Sequence, residues 1–179
     1  MKIFQAVQFL IKEIEDHTQM YVMMVGVPGV GKSSLISKFH EMSDLHIHVA
    51  STDDLIDIES IKCGITYNEA FNKLDQKQLR REMEKGILLA VSNNEIIFQD
   101  QTNMSSKQRS SKINLIPKSY YKICLNFNID DDILKSRLDI RAQKTGKIIP
   151  EYVIKNMLSN YNIPSKSEGF DLIIDINNN

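Results

Sequence analysis

Eight residues carry the strongest chemical signal in this chain. Gly26-Val27-Pro28-Gly29-Val30-Gly31-Lys32-Ser33 follows the spacing G-x-x-x-x-G-K-[ST], with Ser34 next in line. Glycines at these positions let successive backbone N–H groups turn inward, and a helix that starts at the lysine adds the positive end of its dipole. Such a loop cradles phosphates. Lys32 can reach the outer phosphates of a nucleoside triphosphate, and the Ser33 hydroxyl is a hard oxygen donor suited to Mg²⁺. ATP and Mg²⁺ are therefore the expected cofactors, held by Gly26 through Ser34.

Acids and arginines at three further places could complete the chemistry. Asp53 and Asp54 follow the short apolar stretch Ile47-His48-Val49-Ala50. A carboxylate at the carboxyl end of a strand faces the crevice where open α/β sheets bind ligands, which favours Asp53 for chemistry. Asp54 directly precedes Leu55-Ile56 and fits a helix N-cap better. Asp100 ends Glu95-Ile96-Ile97-Phe98-Gln99, so it can join Ser33 on the Mg²⁺ side, or simply cap a loop. Arg137 and Arg141 are spaced i, i+4 and share one face of a basic helix, with Lys144 and Lys147 close by. A solvated helix paired with Asp131 and Asp139 would show the same residues.

These side chains need elements to hold them. Met20-Tyr21-Val22-Met23-Met24-Val25 is a continuous apolar run, the pattern of a strand buried on both faces, and it leads straight into Gly26. Helices are expected from Lys32, near 54–61 and near 68–91, then a strand ending at Asp100 and a polar loop. Residues 120–127 read as a strand, 130–144 and 151–161 as helices, and 172–174 as a last strand. Alternating strands and helices predict an α/β layer fold with a parallel sheet. Residues 1–179 suit one domain, with an amphipathic helix over 1–18 packed on it and a frayed end at 177–179.

Composition excludes several classes. Hydrophobic residues at 42% and charged residues at 25% are ordinary for a globular chain, against both disorder and a membrane protein. A net charge of −1 supplies no global attraction for a polyanion, so any nucleic-acid contact must come from a local basic patch. Cys63 and Cys124 are far apart and lack metal-ligand spacing, which argues against zinc or a disulfide framework and for buried reduced thiols. The N-terminal apolar stretch is broken by Gln5, Gln8, Lys12 and Glu13, unlike a signal peptide, and the cytoplasm is the default address. Asn72-Lys73-Leu74-Asp75 spells a guanine-reading string, yet it follows Glu69-Ala70-Phe71 in a surface helix and no D-x-x-G accompanies it. It reads as chance.

Four segments beyond the phosphate loop stand in a familiar order: Ser51-Thr52-Asp53-Asp54, Asp100-Gln101-Thr102-Asn103, Arg137-Leu138-Asp139-Ile140-Arg141, and Pro164 through Glu168-Gly169-Phe170-Asp171. With them the chain resembles the kinase domain of bacteriophage polynucleotide 5′-hydroxyl kinases and related P-loop kinases, from Met20 onward. The resemblance implies a three-layer P-loop fold, adenylate-kinase-like, with about five strands and a basic helical lid. It implies that Asp53 takes the proton of an attacking hydroxyl, and that Arg137 and Arg141 act with Lys32 on the transferring phosphoryl group. Asp54, Thr102, Asn103 and Arg109 would shape the acceptor side, with Lys107 and Lys112 near a nucleic-acid backbone. The expected reaction is Mg²⁺-dependent transfer from ATP to the 5′ end of RNA or DNA.

The chain departs from that family where an acceptor-gripping arginine would stand, since Leu55 or Ile56 occupies the place. A small-molecule kinase, including zeta-toxin-like enzymes acting on a sugar nucleotide, would share every other feature. A nucleotide-dependent binding module docking through the N-terminal helix is the alternative from another class. Asp171 to Asn177 lacks a D-x-D-G-T pattern, so no phosphatase activity is expected.

Overall fold

The computed structural model describes residues 1–178. In chain order they form α1 (Ile3–Asp16), β1 (Met20–Val25), α2 (Lys32–Met42), β2 (Ile47–Ala50), α3 (Thr52–Cys63), α4 (Tyr67–Lys73), α5 (Gln76–Ser92) and β3 (Ile96–Gln99). Then come α6 (Ser106–Ile113), β4 (Tyr121–Asn128), α7 (Asp131–Thr145), α8 (Glu151–Ser159), a 3-10 turn at Lys166–Glu168 and β5 (Leu172–Asn177). The strands form one sheet in the order β2-β3-β1-β4-β5, every pair parallel. The α/β reading of the sequence holds.

β1 lies at the centre, and its six residues are fully buried because helices cover both faces of the sheet. Met20, Val22 and Met24 face one apolar layer with Val7 and Leu10 of α1 and Leu35 and Phe39 of α2. Tyr21, Met23 and Val25 face the other, with Met83 and Ile87 of α5 and Ile113 of α6. Period-two alternation thus serves two cores at once. A third, smaller cluster of Ile56, Ala70 and Leu79 packs α3 and α4 against α5. α1 packs on α2 and β5, burying Ala6, Val7, Leu10 and Ile14 as the amphipathic spacing requires.

Four local expectations need correction. The helix expected near 68–91 is two, because Leu74 is extended and Asp75 caps α5 by accepting the Lys77 N–H at 2.8 Å. The stretch read as a polar loop contains α6, started by a reciprocal capping box between Ser105 and Gln108. Cys124 is buried, but Cys63 is exposed at the end of α3. Asn177 and Asn178 are held rather than frayed: the Asn178 side chain donates to the Val30 carbonyl at 2.7 Å, and its N–H donates to Asn128 O. Asn179 lies outside the described residues.

α6 is tied to the turn before β5 by a buried ion pair. Arg109 has no exposed surface, and its Nε and Nη2 each donate to Glu168 at 2.7 Å. Nη1 satisfies the carbonyls of Asn103 and Met104. With one partner removed, a buried charge remains uncompensated and costs several kcal/mol. Glu168→Ala should therefore lower unfolding stability by about 3–5 kcal/mol. Denaturant titration of the two proteins checks this, and a loss under about 1 kcal/mol would show that Arg109 finds water or another acceptor.

Candidate functional site

The parallel sheet brings the loops after β1, β2 and β3 to one edge, where they line a cleft of about 1120 Å³. That exceeds the few hundred to about 1,000 Å³ of a typical single-ligand site. A nucleotide and a second ligand fit together in such a volume.

The phosphate loop leaves β1 through Gly26. Gly29 and Gly31 have φ of 90° and 106°, a left-handed region that side chains avoid. A β-carbon at Gly29 would also press on Leu134 and Leu138 of α7. Gly31 is the N-cap of α2, which directs the helix start at the loop. Pro28, Gly29, Gly31, Ser33 and Ser34 line the cleft, while Val27 and Val30 bury their side chains in the core. Lys32 is 8% exposed, and its ammonium donates to the carbonyls of Gly26 at 2.9 Å and Val27 at 3.0 Å. Burial pulls its pKa down to about 8, against the opposing pull of Asp100 and Asp53.

Asp100 stands where the sequence puts it. Ser33 Oγ donates to Asp100 Oδ2 at 2.7 Å, joining the start of α2 to the end of β3. Two backbone bonds hold that junction, Asp100 N to Ala50 O at 3.0 Å and Gly26 N to Thr102 O at 2.9 Å. The Ser33 hydroxyl and the Asp100 carboxylate are hard oxygen donors, the set that suits Mg²⁺ completed by water and phosphate oxygens. No denser cluster of metal-binding side chains occurs among the described residues.

Sequence reasoning missed the polar chain behind this junction. Tyr21 Oη donates to Gln99 Oε1 at 2.9 Å, Gln99 Nε2 to Gln101 Oε1 at 3.1 Å, and Gln101 Nε2 to Thr52 Oγ1 at 3.1 Å. The tyrosine within an apolar strand and the glutamine before Asp100 were its signals. Together they position the first turn of α3 against β1 and β3.

Asp53 sits in that first turn and opens into the cleft. Tyr67 Oη donates to Asp53 Oδ1 at 3.0 Å, and Arg141 Nη2 lies 3.9 Å from Asp53 Oδ2. Burial and the Asp53 charge raise the Tyr67 pKa well above the ordinary value, so the phenol remains a donor. The loop after α7 is fastened over this group. Lys147 pairs with Asp57 at 2.5 Å and lies 4.0 Å above the Tyr67 ring, and Asn68 donates to the Gly146 carbonyl at 2.9 Å. Tyr67, Asp57 and Asn68 carried no motif and could not be found from spacing.

Several expected site residues stand differently. Ser51, not Asp54, caps α3, its Oγ accepting the Asp54 N–H. Asp54 instead faces the cleft, its carboxyl pushed up by burial and by Asp100. Arg141 reaches the cleft, but Arg137, one turn closer to the sheet, donates to the Asn178 carbonyl at 2.8 Å and does not line it. Arg109 cannot touch an acceptor, since Glu168 consumes it in the core. Asn103 is 1% exposed: its Nδ2 donates to Met24 O at 2.7 Å, and its Oδ1 accepts from Lys112. Thr102 lines the cleft as expected.

A family model described as an AAA domain matches residues 22–164. The chain belongs to that family. Its fold is that of the small P-loop kinases. A gluconokinase from Sinorhizobium meliloti superposes with a TM-score of 0.54 at 16% identity, over 90% of this chain and 83% of that one. A chain of the Pnkp1/Rnl/Hen1 RNA repair complex superposes at 0.64 with 20% identity, over 80% of this chain and 44% of that one. The human heterogeneous nuclear ribonucleoprotein U-like protein 2 is 24% identical over 154 residues, which are 84% of this chain and 20% of the relative. The mouse counterpart is 23% identical, so the chain spans about one fifth of the length of these relatives.

Lys32 generates a pH dependence. With its pKa near 8, the ammonium is charged below that pH and loses its proton above it. Triphosphate oxygens favour the charged form, so binding takes up a proton and affinity falls as pH rises through 8. Nucleotide affinity should drop by up to about tenfold per unit between pH 8 and 9. Calorimetric titrations across that range check it, with Lys32→Met losing both affinity and slope. A flat profile for the unsubstituted protein would remove Lys32 from the phosphate contact.

Proposed function

We propose that this domain, residues 1–179, transfers the γ-phosphate of ATP onto an alcohol, and that the acceptor is the 5′-hydroxyl of an RNA or DNA end. The observation that carries the reading is the place of Asp53: an exposed carboxylate held by Tyr67, in the same cleft as the phosphate loop and beside Arg141. A switch or motor has no need of a proton acceptor across from its triphosphate.

In this reaction the acceptor hydroxyl attacks the γ-phosphorus in line. Its proton passes to Asp53, the new P–O bond forms, the bridge to the β-phosphate breaks and ADP leaves. Tyr67 holds one carboxylate oxygen and leaves the other for the proton. Arg141 and Lys32 stabilise the charge spread over the transferring oxygens. Ser33 and Asp100 would hold Mg²⁺, which neutralises phosphate charge when bound.

The neighbour from an RNA repair complex and the ribonucleoprotein-like relatives support a polynucleotide acceptor. The gluconokinase neighbour supports a small alcohol instead. The exposed, unbridged Cys63 suits a reducing, cytoplasmic setting.

Asp53→Asn keeps the shape of the side chain and removes the base. It should leave ATP binding intact and lower phosphotransfer to 5′-hydroxyl oligonucleotides by roughly two to four orders of magnitude. Asp54→Asn should cost less rate, and Ser51→Ala about 1 kcal/mol of stability. Transfer from γ-labelled ATP measures all three, and wild-type turnover by Asp53→Asn would defeat the assignment.

A further inference from the structure

Most cations near the cleft are already engaged. Lys32 is bonded to its own loop, Arg141 stands by Asp53, and Lys147 is paired with Asp57. Arg80 of α5 and Lys112 of α6 are not. Both line the cleft, and among the described residues neither belongs to an ion pair.

These helices lie on the same face of the sheet and bring the two charges together. Burial, and then the Arg80 charge, pull the Lys112 pKa down to about 8, with Glu84 offsetting part of that. Converging like charges in a partly dry cleft repel and destabilise the protein until an anion lies between them. The Lys112 ammonium is also fixed in place. It donates to Asn103 Oδ1, and Asn103 is locked by its own bonds to Met24 O and Gln101 O, with φ at 49° in the left-handed region. An ammonium has three donors, so the bond to Asn103 leaves others for a ligand. Asn103 therefore does not bind the acceptor itself. It aims a lysine.

We propose that Arg80 and Lys112 form an anion subsite for a phosphate carried by the acceptor, so that the hydroxyl accepted belongs to a phosphorylated molecule and not to a neutral alcohol. This rests on the phosphotransfer reading, and it names the substrate class of that site. A phosphate on the 3′ side of a terminal nucleotide has this chemistry, and so has a phosphorylated sugar.

The test uses the full chain with Mg²⁺ and a non-hydrolysable ATP analogue. Calorimetry measures binding of a nucleoside 3′-monophosphate, the matching unphosphorylated nucleoside and a hexose phosphate. The wild-type protein should bind the nucleoside phosphate at least about tenfold more tightly than the nucleoside. Arg80→Gln and Lys112→Gln should each remove roughly that factor and leave nucleoside affinity unchanged. Glu84→Gln should tighten phosphate binding, since it removes the opposing carboxylate. Arg80 is exposed, so its variant reports on the subsite without disturbing the fold.

Equal affinity for phosphorylated and neutral ligands would overturn the proposal, as would unchanged phosphate binding in both charge variants or an equal loss for the neutral nucleoside. Hexose phosphate binding that depends on the same two residues would sustain the subsite and identify its source as a small metabolite. Labelling with γ-labelled ATP separates the two readings. If no hydroxyl becomes labelled while charge-dependent binding stands, phosphotransfer fails and the anion subsite survives.

Discussion

Five strands running in one direction are the constraint from which the cleft follows. Because every pair is parallel, the loops leaving β1, β2 and β3 open on the same edge, where strand order reverses around β1. The register pairs Met23 and Ala50 with Gln99, so Asp100 emerges beside both the phosphate loop and the start of α3. The bond from Ser33 to Asp100 is then a local consequence of sheet geometry. An antiparallel neighbour at β3 would send Asp100 to the opposite edge, and no side-chain choice could restore the junction.

The charges in the cleft are sorted. Asp53, Asp54 and Asp100 stand with Lys32 and Arg141 at the phosphate-loop end, where cations and anions offset each other. Arg80 and Lys112 project from helices on the other wall, with Glu84 as a partial counterweight. Burial lowers both cleft lysines to about 8, at opposite walls and for the same reason: each ammonium is taken from water and given neutral oxygens as partners. An arriving phosphate supplies what those oxygens cannot, a full opposing charge.

The parts of this arrangement visible in the sequence were those with local rules. Gly29, Gly31, Lys32 and Ser33 form one contiguous motif, and β1 announced itself by six apolar residues in a row. Asp100 followed from its position at a strand end. Arg137 and Arg141 share a helix face, but spacing does not give the depth of each along the helix axis, and one turn separates the cleft from the C-terminal residues. Arg109 read as a surface cation because its partner Glu168 lies 59 residues away. The caps were misassigned for a different reason: Ser51 and Asp54 are both good N-cap residues, and only the bond from the Asp54 N–H to Ser51 Oγ separates them.

Arg137 still bears on the site, through the other side of the phosphate loop. It holds the Asn178 carbonyl, while the Asn178 side chain holds the Val30 carbonyl within the loop. Leu134 and Leu138 meet the same loop at Gly29. The first half of α7 is thus clamped to the nucleotide cradle by apolar packing and buried-side bonds. Its far end is fastened otherwise, by Lys147 on Asp57 and Asn68 on Gly146 O, contacts that are partly exposed. Ion pairs in that setting contribute about 0–1 kcal/mol, far less than burying a leucine at about 1.5–3 kcal/mol. Movement of α7 is therefore cheapest at its far end, where Arg141 can leave Asp53 without any change in the loop that holds the triphosphate.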